Sequence, residues 1–179
     1  MKLVDTRGLS FSSIMSEDYY YVDKSLLIKD ILDSNPHGVY LFTRPRRFGK
    51  TTNLSMLDAF FNIEYKGNNW FDGLAISDYP EYERYKNAFP VIKLNLKDTK
   101  CDDVGQFLNC LKFVISDAYL NHIYLTESDM FSNREKSNYE EIRFGNISDE
   151  IIQRCIPELC RLLKRYHGVN PIVLIDEYD

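Results

Sequence analysis

The chain has 179 residues, 44% of them hydrophobic, and a formal net charge of -5. That length suits one ordinary domain over residues 1–179 with a buried core, and the acidic balance supplies no general field for nucleic acid, so any DNA or RNA contact needs a local patch. The four cysteines lack C-x-x-C spacing and metal-like histidine intervals, and no apolar run or signal-like leader marks a membrane or export route; reduced thiols in a cytoplasmic protein, with no membrane partner, are the reading.

Taken in order, residues 11–14 and Ser16-Glu17-Asp18 read as a leading loop, and residues 19–22 as a short extended piece. Tyr19, Tyr20 and Tyr21 are open to two readings, stacking on a base or ordinary packing. Asp23 is placed to cap a helix in which Leu26, Leu27, Ile28, Ile31 and Leu32 form the apolar face, and Asn35-Pro36-His37-Gly38 stops it. The run Val39-Tyr40-Leu41-Phe42 then predicts a strand. After the turn Thr43-Arg44-Pro45-Arg46-Arg47-Phe48, the spacing of Leu54, Leu57, Phe60 and Phe61 predicts a helix that begins at Gly49-Lys50-Thr51.

A helix start offers unpaired N–H groups and the positive end of the helix dipole, which suit a phosphate. Gly49, without a Cβ, lets amides approach phosphate oxygens. Lys50 reaches the terminal phosphates as a point charge, and the Thr51 hydroxyl is suited to Mg²⁺. The usual pattern G-x-x-x-x-G-K-[ST] asks for glycine where this chain has Arg44, so the first half of the loop departs from it.

Residues 64–88, with Trp70 and a tyrosine-rich run, predict an insertion of turns and a short helix pinned by that tryptophan. Ile92, Leu94 and Leu96 alternate with Lys93, Asn95 and Lys97, which predicts a strand with one wet face, nearer the rim of a sheet than the motif-bearing strands. Residues 104–124 carry a long amphipathic helix. Residues 126–147 are polar and weakly patterned and read as a flexible connection. A helix starting near Ser148 follows, with Pro157 predicting a kink or break near Cys155 and His167-Gly168 ending it.

Pro171-Ile172-Val173-Leu174-Ile175 predicts a central parallel strand covered on both faces, closed by Asp176 and Glu177. Ligands of such sheets bind beyond the carboxyl ends of the strands. Asp176 is therefore assigned to Mg²⁺ with Thr51, and Glu177 to the base that prepares the attacking water. His37, His122 and His167 receive no metal or catalytic role, and the absence of G-x-S-x-G argues against a serine hydrolase. Arg44, Arg46 and Arg47 form the concentrated basic patch, open to phosphate contact, DNA contact at the rim, or pairing with carboxylates.

Three separated stretches, Tyr20-Tyr21-Val22-Asp23-Lys24-Ser25, Thr43-Arg44-Pro45-Arg46-Arg47-Phe48-Gly49-Lys50-Thr51 and Leu174-Ile175-Asp176-Glu177-Tyr178-Asp179, resemble the signatures of the AAA-ATPase-like domain family of P-loop proteins. The resemblance spans nearly the whole chain. It implies that Arg44 in place of glycine is a family trait and that the leading segment packs near the nucleotide. It also implies that such chains usually continue, often into a nuclease-like C-terminal domain. In similar ATPases the strand inserted between the two motif strands, the polar sensor and any arginine finger come later in sequence. A gap between the Val39 and Ile172 strands, or a partner chain filling it, is therefore expected, together with weak hydrolysis by this piece. Ending on Tyr178-Asp179 without a closing helix reads as truncation.

The whole describes an α/β P-loop NTPase fold, mostly parallel with helices on both faces and incomplete at its C-terminus. It is expected to bind ATP with Mg²⁺ through Arg47, Phe48, Gly49, Lys50, Thr51 and Thr52, and to hydrolyse it with Lys50 and Glu177. The alternatives are a nucleotide-dependent switch or docking module with little turnover, and an inactive fragment.

Overall fold

A computed structural model describes residues 8–17, 19–35, 38–43, 48–101 and 103–178. Arg44, Pro45, Arg46, Arg47, Asp18, Pro36, His37 and Asp179 lie outside the described residues, and so do the expectations that fall on them. The chain packs as two compact units, Met1–Phe89 and Pro90–Asp179.

In the first unit, helix α1 (Phe11–Ser16) stands where a loop was expected. Ser10 caps it by accepting the Ser13 N–H, and it buries Phe11 and Ile14, too short an apolar pattern to show helical period in the sequence. Helix α2 (Leu26–Ser34) buries Ile28 and Leu32 and ends at Asn35. Residues 39–43 form no strand, contrary to expectation, and Val39 and Leu41 are exposed, at 101% and 66%. An apolar run makes a strand only when a neighbouring strand accepts its backbone bonds, and no such neighbour is recorded among the described residues.

Helix α3 (Lys50–Phe61) follows as predicted. Its C-terminal half, from Met56 through Phe61, is buried throughout. Phe60 meets the rings of Phe61, Phe71 and Tyr82 at 5.0, 5.3 and 5.7 Å, and Phe71 meets Phe11 at 4.8 Å.

The insertion after α3 holds the 3₁₀ turns Ile63–Tyr65 and Ala75–Asp78 and helix α4 (Tyr82–Tyr85), and it closes on its own starting point. Asn87, in the left-handed region at φ 50°, donates its side-chain amide to the carbonyls of Ala59, Phe60 and Asn62 at 3.0, 3.3 and 2.8 Å. Those are the carbonyls that a helix end leaves orphaned. Trp70 pins the loop, donating Nε1–H to Ser16 Oγ at 3.1 Å and packing on Tyr65.

In the second unit, β1 (Val91–Asn95) pairs in parallel with β2 (Ile172–Asp176), with Val91 opposite Ile172 and Asn95 opposite Asp176. The two strands are direct neighbours, so β1 is not more peripheral than β2 among the described strands. Lys93 and Asn95 are exposed as the alternation predicts. β2 departs from its expected burial on both faces: Leu174 is buried, while Val173 and Ile175 are 38% and 43% exposed.

Between the strands run helices α5 (Val104–Leu120), α6 (Asn133–Arg143) and α7 (Ile152–His167). Ile92, Ile115, Tyr119, Leu125, Leu159 and Leu163 form the centre of the core they enclose. The stretch expected to be a flexible connection is thus ordered. Ser132 and Glu135 make a reciprocal capping box, α6 buries Tyr139 and Ile142, and Glu135 binds Arg161 and Arg165 of α7 at 3.0 and 2.9 Å. Those bonds, led by Arg165, hold the Glu135 carboxyl far below the usual range. α7 runs as one helix through Pro157. The Tyr119 hydroxyl donates to the Cys155 carbonyl at 2.7 Å beside it, and Gly168 ends α7 in the left-handed conformation.

His122 is 3% exposed. Its Nδ1 lies 3.2 Å from the Tyr124 hydroxyl, which lies 2.8 Å from His167 Nε2. Burial pushes the His122 imidazole down to about 4, further lowered by the positive sides of His167 and Lys93 and partly opposed by a bond to Val91. Unfolding therefore takes up a proton over the interval between 4 and the ordinary 6.5. Stability is complete above that interval and falls as pH falls through it. Chemical denaturation should give a protein about 2 kcal/mol less stable near pH 4.5 than near pH 7, with a smaller loss in His122→Gln.

Candidate functional site: a cationic helix start and an acidic strand end

Gly49 is the N-cap of α3 and takes φ 77°, ψ 26°. An L side chain resists that left-handed conformation by roughly 1–2 kcal/mol, so glycine here is demanded by the turn itself. The first helical bond runs from Asn53 N–H to Gly49 O at 2.9 Å, which leaves the N–H groups of Thr51 and Thr52 without a helical acceptor. Thr51 is exposed, Lys50 and Thr52 are half-buried, and Phe48 is 60% exposed. No acidic side chain occupies the first turn of α3. The positive end of its dipole is therefore not balanced by an acid of its own first turn.

A second cation gathers there. The Lys24 ammonium lies 3.4 Å from where a Cβ on Gly49 would stand. Its placement follows from the stretch around it, in which every second residue is tied inward. Tyr21 donates its hydroxyl to Met56 Sδ on α3 at 3.2 Å, and the Lys24 N–H points to the Tyr21 oxygen at 3.4 Å. Asp23 accepts the Ala75 N–H at 2.8 Å, and buried Ser25 accepts that of Ile76 at 3.1 Å. Burial pushes the Asp23 carboxyl up, but the donors from Ala75 and Ser25 outweigh it and leave the group below its usual range. Asp23 is thus more clamp than helix cap: it bonds the Ser25 N–H at 2.8 Å, and α2 itself starts without a side-chain cap.

A helix start with open amides, the positive end of the helix dipole and a lysine ammonium beside it suits an anionic ligand. The arrangement fits a polyphosphate. Lys24 was absent from the sequence-derived set of ligands. Its signal was the period-2 alternation of Tyr21, Asp23 and Ser25, which leaves residue 24 facing outward.

The acidic pair sits in the second unit, at the carboxyl end of β2. Asp176 accepts the Glu177 N–H through Oδ1 at 3.0 Å, and its backbone carbonyl accepts the Leu96 N–H at 3.0 Å. Both acids are half-buried. Glu177 takes φ 54°, one of two non-glycine residues with positive φ among those described. Positive φ is uncommon for a residue other than glycine. Among the described residues no group of three His, Cys, Asp or Glu side chains makes a metal site, and no helix is long and apolar enough to cross a membrane.

Comparison with known proteins gives this geometry a family. A family model described as "Predicted AAA-ATPase" matches residues 8–179, through both units. A protein of Azotobacter chroococcum mcd 1, described as an uncharacterized protein in the vnfD 5' region, is 35% identical over 169 residues, which is 91% of this chain and 26% of that protein. The chain thus spans about a quarter of that relative's length. No solved structure matches it. Matched over nearly all its residues and carrying a glycine-started cationic helix as well as an acid-closed strand, the chain belongs to the AAA-ATPase-like family, for which nucleotide binding is the family-level expectation.

Proposed function

We propose that the chain is the nucleotide-binding part of a cytoplasmic ATPase with a P-loop fold, taking ATP with Mg²⁺. The observation that carries this reading is the start of α3: a left-handed Gly49, open amides at Thr51 and Thr52, two lysines and no acid in the first turn. Lys50 and the amides around Gly49 hold the phosphates, with Lys24 as a further cation, and Arg47 and Phe48 are assigned to the same phosphate contact. The Thr51 hydroxyl in the first unit and the Asp176 carboxylate in the second are each oxygen donors of the type Mg²⁺ takes, and the ion would neutralise charge on the phosphate oxygens. Glu177 orients and deprotonates the attacking water, a role for which a carboxylate fixed on a tight backbone turn is suited.

Calorimetric titration with Mg-ATP, Mg-GTP and their diphosphates tests the binding half. Native protein should bind Mg-ATP, Lys50→Ala should bind it at least about tenfold more weakly, and Lys24→Ala about three- to tenfold more weakly. Equal affinity in native and Lys50→Ala proteins would overturn the assignment.

Turnover is tested at Glu177. Glu177→Gln should keep ATP bound with little phosphate release, and equal turnover would remove Glu177 from the chemistry. Glu177→Gly should lose turnover while gaining up to about 1 kcal/mol of stability, because glycine relieves the positive φ.

A second reading, binding without turnover by this chain, is favoured by the two-stranded sheet of the described residues and the exposure of Val173 and Ile175 on one face of β2. On that reading, further strands from a partner chain would complete the sheet. Measurable ATP affinity with no phosphate release from native protein would select it.

A further inference from the structure

Cys101 and Cys110 bring their sulfurs to 3.8 Å. Cys101 lies in the coil between the 3₁₀ turn Lys97–Thr99 and α5, and Cys110 on the second turn of α5. Both are thiols and both are partly exposed. Cys155 is buried, and burial pushes both the Cys155 and Cys160 thiols up, which slows their chemistry. A disulfide needs sulfurs about 2 Å apart, so closure asks for less than about 2 Å of approach, within reach of side-chain rotation and a small shift of the coil.

We infer that Cys101 and Cys110 form a reversible disulfide that latches the loop after β1 onto α5. The oxidant is a low-molecular-weight disulfide of the glutathione type. One cysteine thiolate attacks a sulfur of that disulfide, forming a mixed disulfide and expelling one thiolate. The second cysteine thiolate attacks the protein sulfur of the mixed disulfide, forming the Cys101–Cys110 bond and expelling the other thiolate. The two cysteine protons end on the two released thiols, and two electrons pass from the protein to the oxidant.

The loop that would be held is tied to the acidic strand end. The Thr99 hydroxyl and N–H donate to the Leu96 carbonyl at 2.7 and 3.1 Å, and the Leu96 N–H donates to the Asp176 carbonyl at 3.0 Å. Thr99 is buried at 8% exposure, two residues before Cys101. Latching Cys101 to α5 therefore fixes the far end of a bonded path whose near end is the Asp176 backbone. That this path regulates catalysis rests on the proposed role of Asp176; the disulfide itself does not.

The test uses the intact chain in glutathione buffers of increasing oxidised fraction, with alkylation, peptide mapping and amide hydrogen exchange. Oxidation should remove alkylation from Cys101 and Cys110 together and join their peptides in one species lighter by two hydrogens, while Cys155 and Cys160 still alkylate after unfolding. Exchange of the residue 96–99 amides should slow about tenfold, and should stay unchanged in Cys110→Ser, which should carry only a glutathione adduct at Cys101. Separate adducts on both cysteines with no cross-link would overturn the pair, and a cross-link with unchanged exchange would overturn the latch. Neither readout involves nucleotide, so a failure of ATP binding and a failure of the latch are told apart.

Discussion

The first unit depends on one helix serving two environments. The C-terminal half of α3 is buried among Phe11, Phe71 and Tyr82, which fixes the axis of the helix. Its N-terminal turn can then stay polar and open without risk to the fold, because the stability is supplied a turn and a half away. Gly49 makes that division possible: a left-handed residue at the N-cap lets helical bonding begin at once. The absence of a first-turn acid, a loss of about 0.3–1 kcal/mol for an ordinary helix, becomes an asset when the counter-charge is brought by a ligand.

Around α3 the unit spends its polar groups on holding backbone in place. Asn87 satisfies three carbonyls at the helix end, while Asp23 and Ser25 hold the turn at Ala75–Asp78. These contacts make the Tyr20-to-Ser25 stretch rigid by tying every second residue inward, and Lys24 is the consequence on the outer side. A flexible lysine near a phosphate site is common; one whose neighbours on both sides are bonded to the body of the unit arrives with less entropy left to lose.

Much of this was legible in residues 49–61, where glycine, lysine, threonine and a 3.6-residue apolar period coincide, and in 172–177, where an apolar run ends in acids. The period of residues 104–120 and Gly168 likewise marked α5 and the end of α7. What the sequence hid has physical causes. The 39–42 run is apolar enough for a strand, but strands are made by neighbours, and pairing is not written in one segment. Helix α6 has a mean composition of charged residues and only Tyr139 and Ile142 turned inward, so its hydrophobic signal is faint; Ser132 with Glu135 was the readable sign. Cys101 and Cys110 are nine residues apart and become neighbours only because the coil before α5 folds back along the helix.

In the second unit, strain and hydrogen bonding converge on one short stretch. A strand that simply ended at Asp176 would let the next residue relax into an extended or helical conformation. Instead Asp176 binds the Glu177 N–H, the chain turns through φ 54°, and the Leu96 N–H holds the Asp176 carbonyl from the neighbouring strand's exit. One oxygen of Asp176 is thereby committed to shaping the turn. The position of Glu177 then follows from Asp176 rather than from packing of its own side chain, which is half-buried with no bond to the core among the contacts described. The loop after β1 and the strand end are thus joined by the bond from the Leu96 N–H to the Asp176 carbonyl, which continues the β1–β2 pairing by one residue.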